Sequence, residues 1–129
     1  MSPSIDRHHS DWLLLQRDGL SMAGASYKRG VSVHAPSTVT IDLNRPCSAY
    51  DGLAGVDDLT LAPGAVRFSV LGDDDRSLWR SPALHAGDAP VPVHVPLAGQ
   101  HSIQLVVTPV DGYWSTGILA DWANAQFSC

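Results

Sequence analysis

The feature that most constrains this chain is its two-residue period. Thr38 to Leu43 alternates polar with apolar and puts Val39, Ile41 and Leu43 on one face. Ala65 to Val70 does the same with Val66, Phe68 and Val70, and Ser102 to Val107 offers Ile103 and Leu105. Val91 to Leu97 points four apolar residues one way and Pro92 and Pro96 the other, which predicts an edge strand, because proline donates nothing to a ladder. Shorter candidates are Trp12 to Leu15, Val31 to Val33, Ser48 to Val56 and Ser77 to Arg80. Turn signals separate these runs, among them Ala62-Pro63-Gly64, Gly72-Asp73-Asp74-Asp75, Gly87-Asp88-Ala89-Pro90 and Asp111-Gly112. Strands recurring every 8–12 residues between such turns predict an all-β antiparallel sandwich or barrel. A helical period is nowhere sustained; Leu119 to Phe127 fits a helix or a strand equally well. One domain over residues 11–129 is expected, after a loosely held segment over residues 1–10.

Charge and composition narrow the partners. Eight Lys and Arg against 13 Asp and Glu leave a net charge of −5, too few cations for a nucleic-acid footprint. No apolar stretch reaches the length of a membrane span, and the opening residues lack the apolar stretch of a signal peptide. Cys47 and Cys129 are far apart and carry no zinc-type spacing. A bridge between them would be worth on the order of 4 kcal/mol where geometry allows, but the spacing favours two separate cysteines.

Catalytic signals are absent. The six histidines show no i, i+4 pairing, and no serine sits in a Gly-x-Ser-x-Gly elbow. Asp57-Asp58 and Asp73-Asp74-Asp75 are the acidic clusters; the first reads as a turn binding its own backbone and the second as a solvated hairpin loop, or either supplies oxygen ligands for Ca²⁺, which relieves the repulsion of adjacent carboxylates. Of the four tryptophans, Trp122 reads as core and Trp79 is open, whereas Tyr113-Trp114 follows a turn and is expected to meet solvent. An exposed flat ring is a platform for the C–H face of a sugar, with neighbouring polar groups holding the hydroxyls.

Tyr27-Lys28-Arg29-Gly30-Val31-Ser32-Val33-His34-Ala35-Pro36-Ser37 resembles the signature of the NPCBM domains, which overlap family 51 of the carbohydrate-binding modules. Three further blocks follow in the family's order: Gly55-Val56-Asp57-Asp58; Gly64 to Val70 with Asp73 and Leu78-Trp79-Arg80-Ser81, similar to Gly-x-Val-x-Phe-x-Val, Asp and Leu-Trp-x-Ser; and Asp121-Trp122-Ala123-Asn124-Ala125. The chain departs from the pattern at Ser32, where a second glycine is usual, and at Ile118-Leu119, where Asp-His is usual. The resemblance implies a jelly-roll β-sandwich, non-catalytic, appended to a secreted glycoside hydrolase and binding terminal galactose-type sugars on glycans, with a structural calcium ion in several members. The residues expected to hold sugar are Tyr113 and Trp114 as platform and His34, Arg80 and Asp111 as polar partners; His34 is alternatively a half-buried imidazole ordering the Gly30 to Ser37 crossover. Calcium is expected at Asp57 and Asp58 first, then at Asp73. The competing expectation is a sandwich retained for structure or protein interaction, without sugar affinity.

Overall fold

The computed structural model describes residues 4–7, 15–17, 20–22, 25–27, 30–43, 46–58, 64–110 and 118–129. Two five-stranded antiparallel sheets face each other. The first runs, in spatial order, β1 (Ser4–Arg7), β6 (Ser37–Asp42), β11 (Ser102–Pro109), β8 (Val66–Leu71) and β9 (Ser77–Arg80). The second runs β10 (Val91–Pro96), β7 (Ala49–Val56), β12 (Leu119–Ser128), β5 (Gly30–His34) and β2 (Leu15–Arg17), and β3 (Leu20–Met22) pairs with β4 (Ala25–Tyr27) as a separate ribbon. From β5 onward nearly every connection changes sheet, so sequence neighbours face each other across the core. This is the β-sandwich of jelly-roll type that the resemblance predicts, and the sandwich rather than the barrel of the two that the alternation allows. Ser4–Arg7, inside the segment expected to be loosely held, is the edge strand β1.

Alternation explains the packing. Val39, Ile41, Leu43, Val66, Phe68, Val70, Ile103 and Leu105 are all buried, and they meet Val33, Tyr50, Val93, Val95 and Trp122 of the other sheet. Trp122 is fully buried and stands edge-on to Phe68, ring centres 5.1 Å apart. Trp79, open on sequence, packs half-buried against this core. β10 is an edge strand with both prolines turned outward, as a missing ladder donor requires.

The stretch Leu119 to Phe127 resolves as a strand. It shows no alternation at its start because both its faces are covered: Trp122 faces the core, while Ala123 packs outside against Met22 of the β3–β4 ribbon. Asn124, at a left-handed φ of 53°, marks a register shift between Ala123 and Gln126.

The expectation of two separate cysteines is corrected. Cys47 and Cys129 form a disulfide across an 82-residue separation. The β7–β12 register puts Ala49 opposite Ser128, and the Ser48 amide donates to the Ser128 carbonyl at 2.6 Å, which carries the two sulfurs to one place. Linear spacing holds no trace of that pairing.

Candidate functional site

One end of the sandwich gathers the segments of interest. There the β5–β6 crossover is held by Ala35, whose amide donates to the Ile118 carbonyl at 3.0 Å. The Asp57 amide, just past β7, donates to the Leu119 carbonyl at 2.9 Å, and the Val110 amide, just past β11, donates to the Ala65 carbonyl at 2.9 Å. Asp111, Tyr113 and Trp114 lie outside the described residues; the residues that bracket their segment, Val110 and Ile118, both sit at this end.

On the outer face of the first sheet, next to Val110, is an open basin of about 300 Å³. It is lined by Arg67, Ser69, Arg80, Thr108, Pro109 and Val110. The register explains it. Residues alternating with Val66, Phe68 and Val70 point outward, so Arg67 and Ser69 share the solvent face. Thr108 of β11 stands directly opposite Arg67, and Arg80 of β9 directly opposite Ser69. Short side chains between two long ones leave the hollow. Val110, 40% exposed, supplies an apolar rim.

Ser81, next to Arg80, clips the end of β9 to β8. Its amide donates to the Phe68 carbonyl at 2.8 Å, and its hydroxyl accepts from the Phe68 amide at 2.9 Å and donates to the Pro82 carbonyl at 2.7 Å. The Ser81 carbonyl in turn accepts from Arg67 Nε at 3.2 Å, fixing that guanidinium at its inner nitrogen. Among the described residues neither Arg67 nor Arg80 is in a salt bridge.

The expected site residues do not all converge. Arg80 lies in the basin. His34 closes β5 in the other sheet, opposite Leu119, and is half-buried. Its Nδ1 is buried without a hydrogen-bond partner among the described residues, so the backbone bond expected of an ordering imidazole is not made by that nitrogen. Ile118 and Leu119, in place of the family's Asp-His, are buried apolar residues.

The acids separate as well. Asp57 is fully buried at the end of β7, and its neighbour Asp58 is exposed. Asp73 stands at the opposite end of the sandwich, where its carboxylate accepts from the His101 amide at 3.0 Å, the Ser102 amide at 3.2 Å and His101 Nδ1 at 2.9 Å. These bonds, the His101 side chain first, hold the Asp73 carboxyl below the ordinary carboxylate range. Among the described residues no three His, Cys, Asp or Glu side chains converge to hold a metal ion. Asp57, Asp58 and Asp73 therefore do not fit one shared calcium site.

Sequence reasoning missed Arg67, Ser69, Thr108 and Val110. The signal was present: the outward positions of the strands that supplied the core, read together across a sheet.

The family model of the NPCBM/NEW2 domain matches residues 2–128. The chain belongs to that family. A Renibacterium salmoninarum protein bearing the name of an endo-alpha-N-acetylgalactosaminidase is 37% identical over 127 residues, 97% of this chain. The Akkermansia muciniphila Alpha-1,3-galactosidase B is 29% identical over 110 residues, 82% of the chain. The chain spans only 8% and 14% of the lengths of these two relatives. Among solved structures, the fold is similar to the CBM51 domain of Clostridium perfringens GH95 in complex with methyl-galactose, with a TM-score of 0.76, 18% identity and coverage of 97% of this chain and 92% of that one. It is also similar to the tandem CBM51 modules of a Streptococcus pneumoniae family 98 glycoside hydrolase, with a TM-score of 0.75, 14% identity and coverage of 98% and 44%.

Several NPCBM motif residues now have structural reasons. Gly55 sits in a close approach, since a Cβ there would lie 2.7 Å from Met22 Sδ and 3.1 Å from Pro90 Cβ, so any side chain displaces the Met22 thioether and crowds Pro90. Asp121, fully buried, accepts from Ser32 Oγ at 2.6 Å. That bond gives Ser32, the departure from the family's glycine, a polar partner.

Proposed function

We propose that this NPCBM domain is a non-catalytic module that binds terminal galactose-type sugars and carries a larger, secreted glycoside hydrolase to glycans. The observation that carries the reading is the family match over residues 2–128 in a chain spanning a small fraction of its curated relatives, both of whose names refer to galactose-type sugars. No helix among the described residues is long and apolar enough to cross a membrane.

The basin supports the reading in chemical terms. It brings Arg80, Ser69 and Thr108 as hydroxyl partners against the apolar rim of Val110, immediately before the segment bearing Asp111, Tyr113 and Trp114. The sugar would stack on Tyr113 or Trp114 and turn its hydroxyls toward Arg80 and Asp111. His34, half-buried at the end of β5, enters as a separate polar contact at the same end. One stacked ring with a few water-competing hydrogen bonds gives a dissociation constant of about 10 μM to 1 mM.

The test is calorimetric titration with methyl-galactose and lactose, for the wild type and Trp114→Ala. Binding that is lost in a variant with an unchanged melting temperature supports the reading. A blank titration at millimolar sugar refutes it in favour of a module kept for protein contacts. Calcium remains in the proposal through Asp57 and Asp58 alone, adjacent acids at one strand end. A cation bound only by the native state raises the unfolding midpoint, so identical melting curves in calcium and in EDTA refute it.

A further inference from the structure

We infer that the Arg67–Arg80 basin receives an anionic substituent, a carboxylate or a sulfate ester, carried by the sugar that the module binds. The inference deepens the sugar-binding reading by naming the ligand's charge. A neutral galactoside needs one or two donors at its rim. The basin instead offers two guanidinium groups on one face of about 300 Å³ of open space, and neither is in a salt bridge among the described residues. In a chain of net charge −5, 13 acids are available to neutralise eight cations. Even so, among the described residues every ion pair joins a His to an Asp, and Arg76 too is in none; what sets Arg67 and Arg80 apart is that they line one open basin together.

Their placement suits an anion. Ser69 faces Arg80 directly, and Arg67 is two residues along the same strand, so the two arginines stand diagonally across β8 and β9. Diagonal neighbours on a sheet are about 7–8 Å apart, within joint reach of long side chains. Arg67 is fixed by its Nε bond to the Ser81 carbonyl, which leaves its two terminal nitrogens as a planar fork. A fork held before the ligand arrives loses little freedom on binding, and charge-assisted bidentate bonds are the strong ones. Ser69 and Thr108, the small polar residues between, add hydroxyl donors without filling the space. A carboxylate and a sulfate ester share the feature this geometry reads, two or more anionic oxygens in one group.

The experiment is isothermal titration of the whole chain at 150 mM salt with three probes: lactose, 3′-sialyllactose for the carboxylate, and 3′-sulfated lactose for the sulfate ester. The expected result is about tenfold tighter binding of at least one acidic probe than of lactose. The stronger of the two identifies the source of the charge. In Arg67→Gln the ratio of acidic to neutral affinity falls to about one; in Arg67→Gln/Arg80→Gln the acidic advantage is lost as well, together with part of the neutral affinity, because Arg80 also holds sugar hydroxyls. Melting curves establish that both variants fold, and Arg67→Lys, which keeps the charge but not the fork, restores only part of the ratio. Lactose binding without any preference for the acids overturns this inference and leaves the sugar-binding reading standing. Acid binding without lactose binding upholds the basin and overturns galactose recognition. A preference that survives in the double variant overturns the assignment to Arg67 and Arg80, and silence from all three probes overturns both readings.

Discussion

Removing the Cys47–Cys129 bridge is expected to destabilise the domain by about 4.5 kcal/mol. The cross-link closes an 82-residue separation, and the loss of loop-closure entropy from the unfolded chain scales with the logarithm of that length. Little is added by native contacts. The backbone around the bridge is already paired, with the Ser48 amide on the Ser128 carbonyl and Ala49 opposite Ser128, so the strand ends keep their ladder when the sulfurs are gone. The assay is equilibrium urea unfolding of the oxidised protein beside Cys47→Ser/Cys129→Ser. With a denaturant slope of about 2 kcal/mol per molar, the midpoint falls by about 2 M. The slope itself rises in the variant, since an uncross-linked chain exposes more surface when it unfolds. A loss below about 1 kcal/mol at unchanged slope refutes the reasoning, because the unfolded chain would then not have been constrained. A loss well above the entropic figure refutes it from the other side, by showing that the bridge also holds native structure.

Three further outcomes are expected. Phe68→Ala, which empties a fully buried site and removes the edge-on partner of Trp122, costs about 3–5 kcal/mol by the same unfolding assay; a loss under 1 kcal/mol would mean that the two sheets collapse onto the gap. Asp73 has its carboxyl lowered by His101 and the adjacent amides, so between its folded and ordinary values the unfolded chain binds more protons; its contribution is full above the ordinary value and is lost as pH falls through the lower one. Asp73→Asn therefore narrows the melting-temperature gap to wild type as pH drops below about 4, and a gap independent of pH excludes the mechanism. Gly55→Val drives a side chain into Met22 and Pro90 and lowers the melting temperature, whereas an unchanged midpoint would show that the β3–β4 ribbon does not pack there.

How far the molecule is legible in its sequence depends on where each residue's partner lies. Val39, Ile41, Phe68 and Val70 declare themselves because the signal is local: neighbours two apart share a face, and burial of that face follows. Pro92 and Pro96 declare the edge for a similar reason. Leu119 to Ala123 hides its strand because Met22, nearly a hundred residues earlier, covers the face that would otherwise be polar. Cys47 and Cys129 hide their pairing because the register of β7 on β12 decides it. Asp73 reads as one of three solvated acids, yet its carboxylate is spent on the amides of His101 and Ser102 across the turn that enters β11. The same holds for the basin. Arg67 and Thr108 look like ordinary outward residues until the ladder sets them opposite each other.

The family motifs and the basin divide one strand between them. In the block Gly64 to Val70 the positions that the pattern specifies, Val66, Phe68 and Val70, are fully buried, while the open positions Arg67 and Ser69 face outward into the basin. In Leu78-Trp79-Arg80-Ser81, Leu78 and Trp79 pack against the core and Ser81 closes onto Phe68, which leaves Arg80 as the open position, again in the basin. What the motif fixes is therefore packing and the Ser81 clip, and matching it establishes the sandwich. What it leaves open lines the cavity. On the proposed reading, the chemistry of the ligand is set by residues the motif does not dictate, so relatives sharing this pattern can carry the same scaffold with differently charged basins. In this chain the open positions hold two arginines and a serine, and that combination, more than the motif that surrounds it, argues for a sugar bearing negative charge.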